Sequence, residues 1–203
     1  MGRPIGASGT KTMAAIRRKA VARIYKSGFE ATTLRQVAAD VGVKAGSLYN
    51  YFDSKQDFLF ALLSATMADL EAELETALQG ATGAIETLKR FIAFHIDFHT
   101  ARKREVFIGN MELRSLKGRH YAEIAARRNR YEARLQSIFE AGNREGVWAV
   151  EDPRVATFAV IAMLTGICTW FSPSGRLGRA DLTRLYTHQI LRGLDIREAD
   201  GDH

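Results

Sequence analysis

Two histidines four residues apart, His95 and His99 with Asp97 between them, come nearest in this 203-residue sequence to the spacing of a metal site. Zinc hydrolases with such a helical pair carry a general-base glutamate directly after the first histidine, where Ile96 stands here, and no third ligand is evident. The plainer reading is a pair lining a helix face or a cavity. The single cysteine, Cys168, excludes an internal disulfide and a cysteine-based zinc site; it reads as a small core hydrophobe, with a redox-sensing thiol as the alternative. No Gly-Lys-Ser phosphate loop, dinucleotide glycine fingerprint or Gly-x-Ser-x-Gly elbow occurs. The sequence offers no catalytic residue, no metal site and no cofactor. What remains is non-covalent chemistry: donors, acceptors and cations crowded into residues 33–55, among them Arg35, Lys44, Ser47, Tyr49, Asn50, Tyr51 and Lys55.

The elements that must hold these side chains are two short helices and the start of a third. Thr33 can cap the first helix while Gln36 reaches back to the free backbone donors, as a capping box requires. Leu34, Val37, Ala38 and Val41 recur at helical spacing and need covering. Gly42 stands where the chain must enter the left-handed region, after which Val43 and Leu48 can fold back on that stripe. Ala45 to Phe52 form the second helix, and Ser54 caps a long one running to Leu78. This is a helix-turn-helix.

The segments Ala31-Thr32-Thr33, Val37-Ala38, Val41-Gly42-Val43 and Ser47-Leu48-Tyr49-Asn50-Tyr51-Phe52, with Lys55, resemble the TetR family of one-component bacterial transcriptional repressors over the first quarter of the chain. The resemblance implies a DNA-binding head, residues 1–55 with an arm over 1–11, and an effector-binding and dimerisation body, residues 56–203. By position in that motif, Lys44, Ala45, Gly46, Ser47, Tyr49, Asn50 and Tyr51 face a major groove, with Leu48 and Phe52 turned inward. Asn50 can pair with adenine, Lys44 can donate to guanine, and Arg35 is a further base reader. Tyr49 and Tyr51 resemble phosphate and methyl contacts. Ala45 and Gly46 offer only close backbone approach or methyl packing. Thr33 and Lys55, at helix starts, are expected to anchor the DNA backbone. Arg3 and Lys11 lie in the expected arm, which reads either as a minor-groove contact or as an unbound tail.

Charge is divided in the same way. Residues 1–55 hold ten Lys and Arg against three acidic residues, an excess of +7, whereas the remainder is −1. A basic module joined to a neutral one suits a protein of which only one part meets phosphates.

Three prolines, no alternating strand pattern and pervasive three-to-four apolar spacing predict an all-α chain of about nine helices. The first is expected over Thr12 to Ser27, with Ile16, Ala20, Ile24 and Tyr25 on its apolar side. Ile85 to Phe98 make an aromatic-rich helix, and Lys117 to Gly142 a long charged one that turns at Gly142, Gly146 and Trp148. Asp152 and Pro153 cap the next, to Phe171, and Ala180 to Leu194 make the last. The longest apolar run, Phe158 to Phe171, is broken by Thr165, Gly166 and Thr169 and reads as a buried or subunit-facing helix. The N-terminus has no secretory signal pattern, so a cytoplasmic protein without a membrane segment is expected.

For the body, the resemblance implies a homodimer through the last two long helices, about 153–172 and 180–194. Ala156, Ala159, Ala162 and Gly166 would permit close approach. It also implies a small hydrophobic effector lodged among Phe91, Phe94, Phe98, Phe107, Met111, Met163 and Trp170, with Arg114 near the mouth, although each apolar residue taken singly reads as plain core. Asn110 to Arg114 and Thr169 to Gly175 resemble the branch that controls fatty-acid and acyl-coenzyme A breakdown, in which case Arg114, Lys117, Arg119, Arg127 or Arg128 would meet phosphates. Two other readings stay open: an effector-independent architectural DNA-binding protein, and an efflux-type repressor sensing a hydrophobic drug-like compound.

Overall fold

The structure is a computed structural model that describes residues 7–194. Among these it is all α: α1 Ala7–Ser27, α2 Leu34–Val41, α3 Ala45–Tyr49, α4 Lys55–Leu78, α5 Gly83–Ala101, α6 Lys103–Met111, α7 Gly118–Glu145, α8 Pro153–Trp170 and α9 Arg179–Gly193, with a single 3-10 turn over Leu113–Ser115. By packing, residues 7–66 and 104–125 form one unit, and residues 67–103 and 126–194 another. The chain of α4 and that of α7 each pass from one unit into the other.

In the first unit Ile16, Ala20 and Ile24 of α1, Leu34, Val37 and Ala38 of α2, Leu48 of α3, and Phe52, Phe58 and Leu59 make the core, with Phe29 filling its centre. Tyr25, expected on the buried side, is 39% exposed and meets Phe107 of α6 edge-on. Two further expectations shift here. α1 begins at Ala7 rather than Thr12, so much of the expected arm is helix, and Arg3 lies outside the described residues. α3 stops at Tyr49, leaving Asn50 as its cap.

In the second unit Leu88, Phe91, Ile92, Ile96 and Phe98 of α5 pack with Tyr131, Leu135, Ile138 and Phe139 of α7, Leu164 and Ile167 of α8, and Leu182 and Ile190 of α9, all buried. Asp152 caps α8, its Oδ1 accepting from the backbone N–H groups of Arg154 and Val155 at 2.9 and 3.0 Å, with Pro153 in the first turn as expected. α7 does not turn at Gly142. It continues to Glu145 because that glycine is a packing site, with the buried Trp148 indole lying on it. Gly146, at φ +71°, makes the turn. The acidic residues of α4 pair with arginines in this unit: Asp69 and Glu73 with Arg102, Glu71 with Arg127, and Glu75 with Arg134.

α8 combines 18 residues with enough apolar character to cross a bilayer by length and composition. Its exposed side is itself apolar: Val155, Phe158, Met163 and Trp170 are 60, 47, 37 and 53% exposed, and Ala159 and Ala162 lie between them.

Candidate nucleic-acid interface

The helix-turn-helix is built by local rules. Thr33 Oγ1 accepts from the Gln36 N–H at 3.3 Å, and Gln36 Oε1 accepts from the Thr33 N–H at 2.9 Å, closing the capping box. Gly42 ends α2 at φ +81°, and the N–H groups of Gly42 and Val43 both reach the Ala38 carbonyl at 3.0 Å. The turn delivers Leu48 into the core with no exposed surface, which fixes the rotation of α3. Phe52, buried beside Phe58 with ring centroids 5.0 Å apart, locks its far end. Arg23 of α1 grips Asp40 of α2 with two hydrogen bonds of 2.6 and 2.8 Å. That partnership holds the Asp40 carboxyl below its usual range and raises the guanidinium.

With Leu48 inward, Lys44, Gly46, Tyr49, Asn50 and Tyr51 face outward, Tyr49 at 55% and Tyr51 at 41% exposure; Ala45 and Ser47 are half-buried, and Arg35 and Thr33 of the preceding helix start are exposed. Among the described residues neither Arg35 nor Lys44 has an ion-pair partner. The face thus presents two uncommitted cations, an amide, two phenols and a backbone with almost no side chain at Gly46. Those groups match phosphate oxygens and base edges in kind.

Thr33 and Lys55 already hold internal positions. The Thr33 hydroxyl donates to Gln36 Oε1 at 3.1 Å. The Lys55 ammonium donates to the Glu30 carbonyl at 2.8 Å, lies 3.7 Å from the Glu30 carboxylate and sits over the Phe29 ring. Either can meet a phosphate only with the hydrogen-bonding capacity left over.

The family model described as "Bacterial regulatory proteins, tetR family" matches residues 16–62, and the one described as "Tetracyclin repressor-like, C-terminal domain" matches residues 81–194. The chain belongs to the TetR family of bacterial regulatory proteins. It is accordingly a DNA-binding transcriptional regulator of the repressor type. The HTH-type transcriptional repressor KstR2 of Mycolicibacterium smegmatis is 24% identical over 177 residues, which cover 86% of this chain and 85% of that protein. Among solved structures, the TetR family transcriptional regulator PfmR of Thermus thermophilus superposes with a TM-score of 0.80 at 29% identity, over 89% of this chain and 98% of that one. AibR, solved with isovaleryl coenzyme A and operator DNA, gives a TM-score of 0.79 at 27% identity, over 90% and 97%. These relatives are regulators, not enzymes.

The residues expected around an effector in this TetR-family protein are scattered. Phe91 and Phe98 are in the core of the second unit, and Phe94 is half-buried with its ring 5.7 Å from that of Phe98. Met163 and Trp170 lie on the exposed side of α8. Phe107 and Met111, 43 and 45% exposed, belong to α6 in the first unit, and Arg114 is exposed in the following turn. Cys168 donates to the His99 carbonyl and is buried; burial pushes its thiol up to about 11, the opposite of what a sensing thiolate needs.

His95 and His99 are buried with their rings stacked, centroids 3.6 Å apart and planes 10° from parallel. Lone pairs in two parallel ring planes cannot converge on one ion, so in this arrangement the pair does not form a chelate.

Sequence reasoning missed the segment that packs on the head. Glu105 of α6 pairs with Arg17 of α1, whose guanidinium also donates to Thr66 of α4 at 3.2 Å. Glu112 Oε1 accepts from the Phe29 N–H at 3.0 Å, and its Oε2 from the Ser115 hydroxyl at 2.7 Å. His120, stacked on Phe60, lies 3.4 Å from Asp57. No local motif marks these contacts; the partners are up to 88 positions apart.

Proposed function

We propose that this protein is a ligand-controlled repressor: a homodimer that binds a palindromic operator through two copies of the α2–α3 face and leaves it when a small apolar effector of the acyl-coenzyme A class binds the second unit. The observation that carries the reading is the outward face of a rigidly seated α3, with Asn50 and Lys44 at its ends and Arg35 beside it, none spent on an ion pair among the described residues. Asn50 reads adenine, Lys44 and Arg35 donate to guanine, Tyr49 and Tyr51 line the groove, Ser47 and the backbone at Ala45 and Gly46 approach the bases, and Thr33 and Lys55 hold the phosphate chain.

Residues 1–55 make up the reading head and residues 56–203 the effector and dimerisation body. α8 supplies the dimer face, supported by its exposed apolar stripe, with Ala159 and Ala162 giving close approach. Ala156 and Gly166 are half-buried and contribute less. The isovaleryl coenzyme A bound to AibR supports the effector class. Arg127 is engaged by Glu71, whereas Arg114, Lys117 and Arg119 are exposed in the first unit. Segment 104–125 is held to α1 and the turn after it through Arg17–Glu105 and Glu112–Phe29. Working on operator DNA, the protein acts in the cytoplasm.

The test is a selected operator titrated by fluorescence anisotropy. Arg35→Ala and Asn50→Ala should each weaken the selected site by about 1–3 kcal/mol while relaxing base preference. Unchanged affinity and preference in both would refute the head assignment. Acyl-coenzyme A thioesters of several chain lengths should release the complex at micromolar concentration; release by none of them would remove that effector class.

A further inference from the structure

The turn between α6 and α7 belongs to the same packed unit as the helix-turn-helix, and its charged side chains divide by sign. From Leu113 to Ala122 the chain carries Arg114, Lys117, Arg119 and His120 and no acidic residue. Arg114, Lys117 and Arg119 are exposed, and among the described residues none of the three makes a hydrogen bond or an ion pair. The acids before the turn are spent inward, Glu105 on Arg17, and Glu112 on the Phe29 N–H and the Ser115 hydroxyl. Glu123, the next acid along α7, is engaged elsewhere.

The start of α4 holds this turn in place. Gln56 Nε2 donates to the Ser115 carbonyl at 2.8 Å. His120 lies 3.4 Å from Asp57 with its ring stacked on Phe60, and Leu116, between the two anchors, is buried. The same first turn of α4 begins with Lys55 and carries Phe58, which packs edge-on against Phe52 just beyond α3. Successive side-chain contacts thus join the end of α3, the start of α4 and the turn over 113–120. The three cations are carried on residues that flank Ser115 and His120, so they keep a set position relative to the outward face of α3. Like charges held on so short a stretch repel one another, and with no acid beside them they are neutralised from outside, by counterions or by a polyanion.

We infer that Arg114, Lys117 and Arg119 extend the DNA interface, meeting backbone phosphates outside the base pairs that α3 reads. This rests on the reading that the α2–α3 face lies on DNA, and adds to it a sequence-independent contact from a segment far away in the chain. DNA is the partner that fits, because the cations add to a unit that already contains the +7 excess of residues 1–55, and their anchors Gln56 and Asp57 follow Lys55 directly. Phosphate contacts of this kind fix a protein's position on the duplex and carry no sequence information. Each one releases counterions, so it is visible in the salt dependence of binding.

The test is fluorescence anisotropy with the full-length protein, a selected operator with extended flanks and a random duplex of equal length, at about 50 to 200 mM salt. Arg114→Gln, Lys117→Gln and Arg119→Gln combined should weaken both duplexes by the same factor, at least tenfold at the low-salt end, with base preference unchanged. The slope of log affinity against log salt should flatten by about 2 to 5, because each phosphate contact carries about 0.9 and a dimer makes every contact twice. Arg114→Lys, Lys117→Arg and Arg119→Lys combined, which keep the charge, should retain the slope. An unchanged slope in the neutral variant, a loss confined to the selected operator, or an equal flattening in the charge-keeping variant overturns the inference. Weaker binding of acyl-coenzyme A to the DNA-free neutral variant also overturns it, giving these cations to the effector. Should the triple variant not fold, Lys117→Gln alone, at an exposed position, decides the matter with a slope flatter by about 2. Asn50→Ala gives the opposite pattern, a loss of base preference at unchanged slope. If that variant keeps its preference, the reading of α3 falls while the salt slope still decides this inference.

Discussion

At position 142 only a hydrogen atom fits. A Cβ there would stand 1.9 Å from Trp148 Cε2, and the indole has nowhere to go: it is 1% exposed and its Nε1 donates to the Phe139 carbonyl at 2.9 Å. Gly142→Ala should therefore cost about 3 kcal/mol or more, against the small gain an alanine normally brings to a helix, as measured by urea denaturation with Trp148 fluorescence as probe. The two histidines give the same core a pH dependence. The folded state keeps His99 neutral down to about pH 4, whereas an unfolded chain protonates it near the ordinary histidine value of 6.5, so between those values the unfolded state binds more protons. The contribution is fully present above 6.5, is lost as pH falls toward 4, and reaches on the order of 3 kcal/mol, with His95 adding in the same direction. The midpoint of urea unfolding followed from pH 7.5 to 4.5 should fall less steeply in His99→Gln than in the wild type.

Single elements show where the sequence was readable. The capping box at Thr33 and Gln36, the left-handed Gly42, and the Asp152–Pro153 start of α8 are all rules spanning a few residues, and each stands in the structure as the residues imply. α7 runs past its expected end because a glycine in a sequence looks the same whether it breaks a helix or makes room for an indole; only the position of Trp148 in space separates the two. The outward face of α3 was legible because the helix is so short that burying Leu48 and Phe52 sets which of its side chains are exposed. Which unit each aromatic or methionine side chain would join was not legible, because helical spacing does not reveal which packed unit will hold them. Phe107 thus lies against Tyr25 in the head unit rather than beside Phe91. α6 depends on contacts with distant residues, and Glu112 concentrates that dependence. Glu112→Ala leaves the Phe29 N–H without its acceptor, and should cost about 1–3 kcal/mol locally. Native-state hydrogen exchange should show the Phe29 amide losing protection while the Leu88 and Ile92 amides of α5 keep theirs. Equal loss at all three would mean that the contact stabilises the whole chain rather than the junction between α1 and the turn after α6.

For the whole molecule, the decisive surface is the outer side of α8. Phe158 and Trp170 are about half exposed on a helix whose opposite side is already packed, and an apolar stripe of this extent on a folded chain marks a contact with another surface. A second copy of α8 fits for a physical reason: Ala159 and Ala162 sit between the large side chains, so two such helices can interlock large against small at close range. In the proposed homodimer, Phe158→Glu combined with Trp170→Glu would put four carboxylates into that contact across a two-fold axis, where like charges repel and have to be desolvated. Sedimentation equilibrium at micromolar concentration should show the wild type as a dimer and the double variant as a monomer with unchanged helix content. Operator affinity should then fall at least tenfold, about 1.4 kcal/mol, although no residue of α2 or α3 has been touched. A double variant that remains dimeric would place the subunit contact elsewhere. A monomer that binds the operator at full affinity would mean that one head suffices, and the palindrome would lose its structural basis.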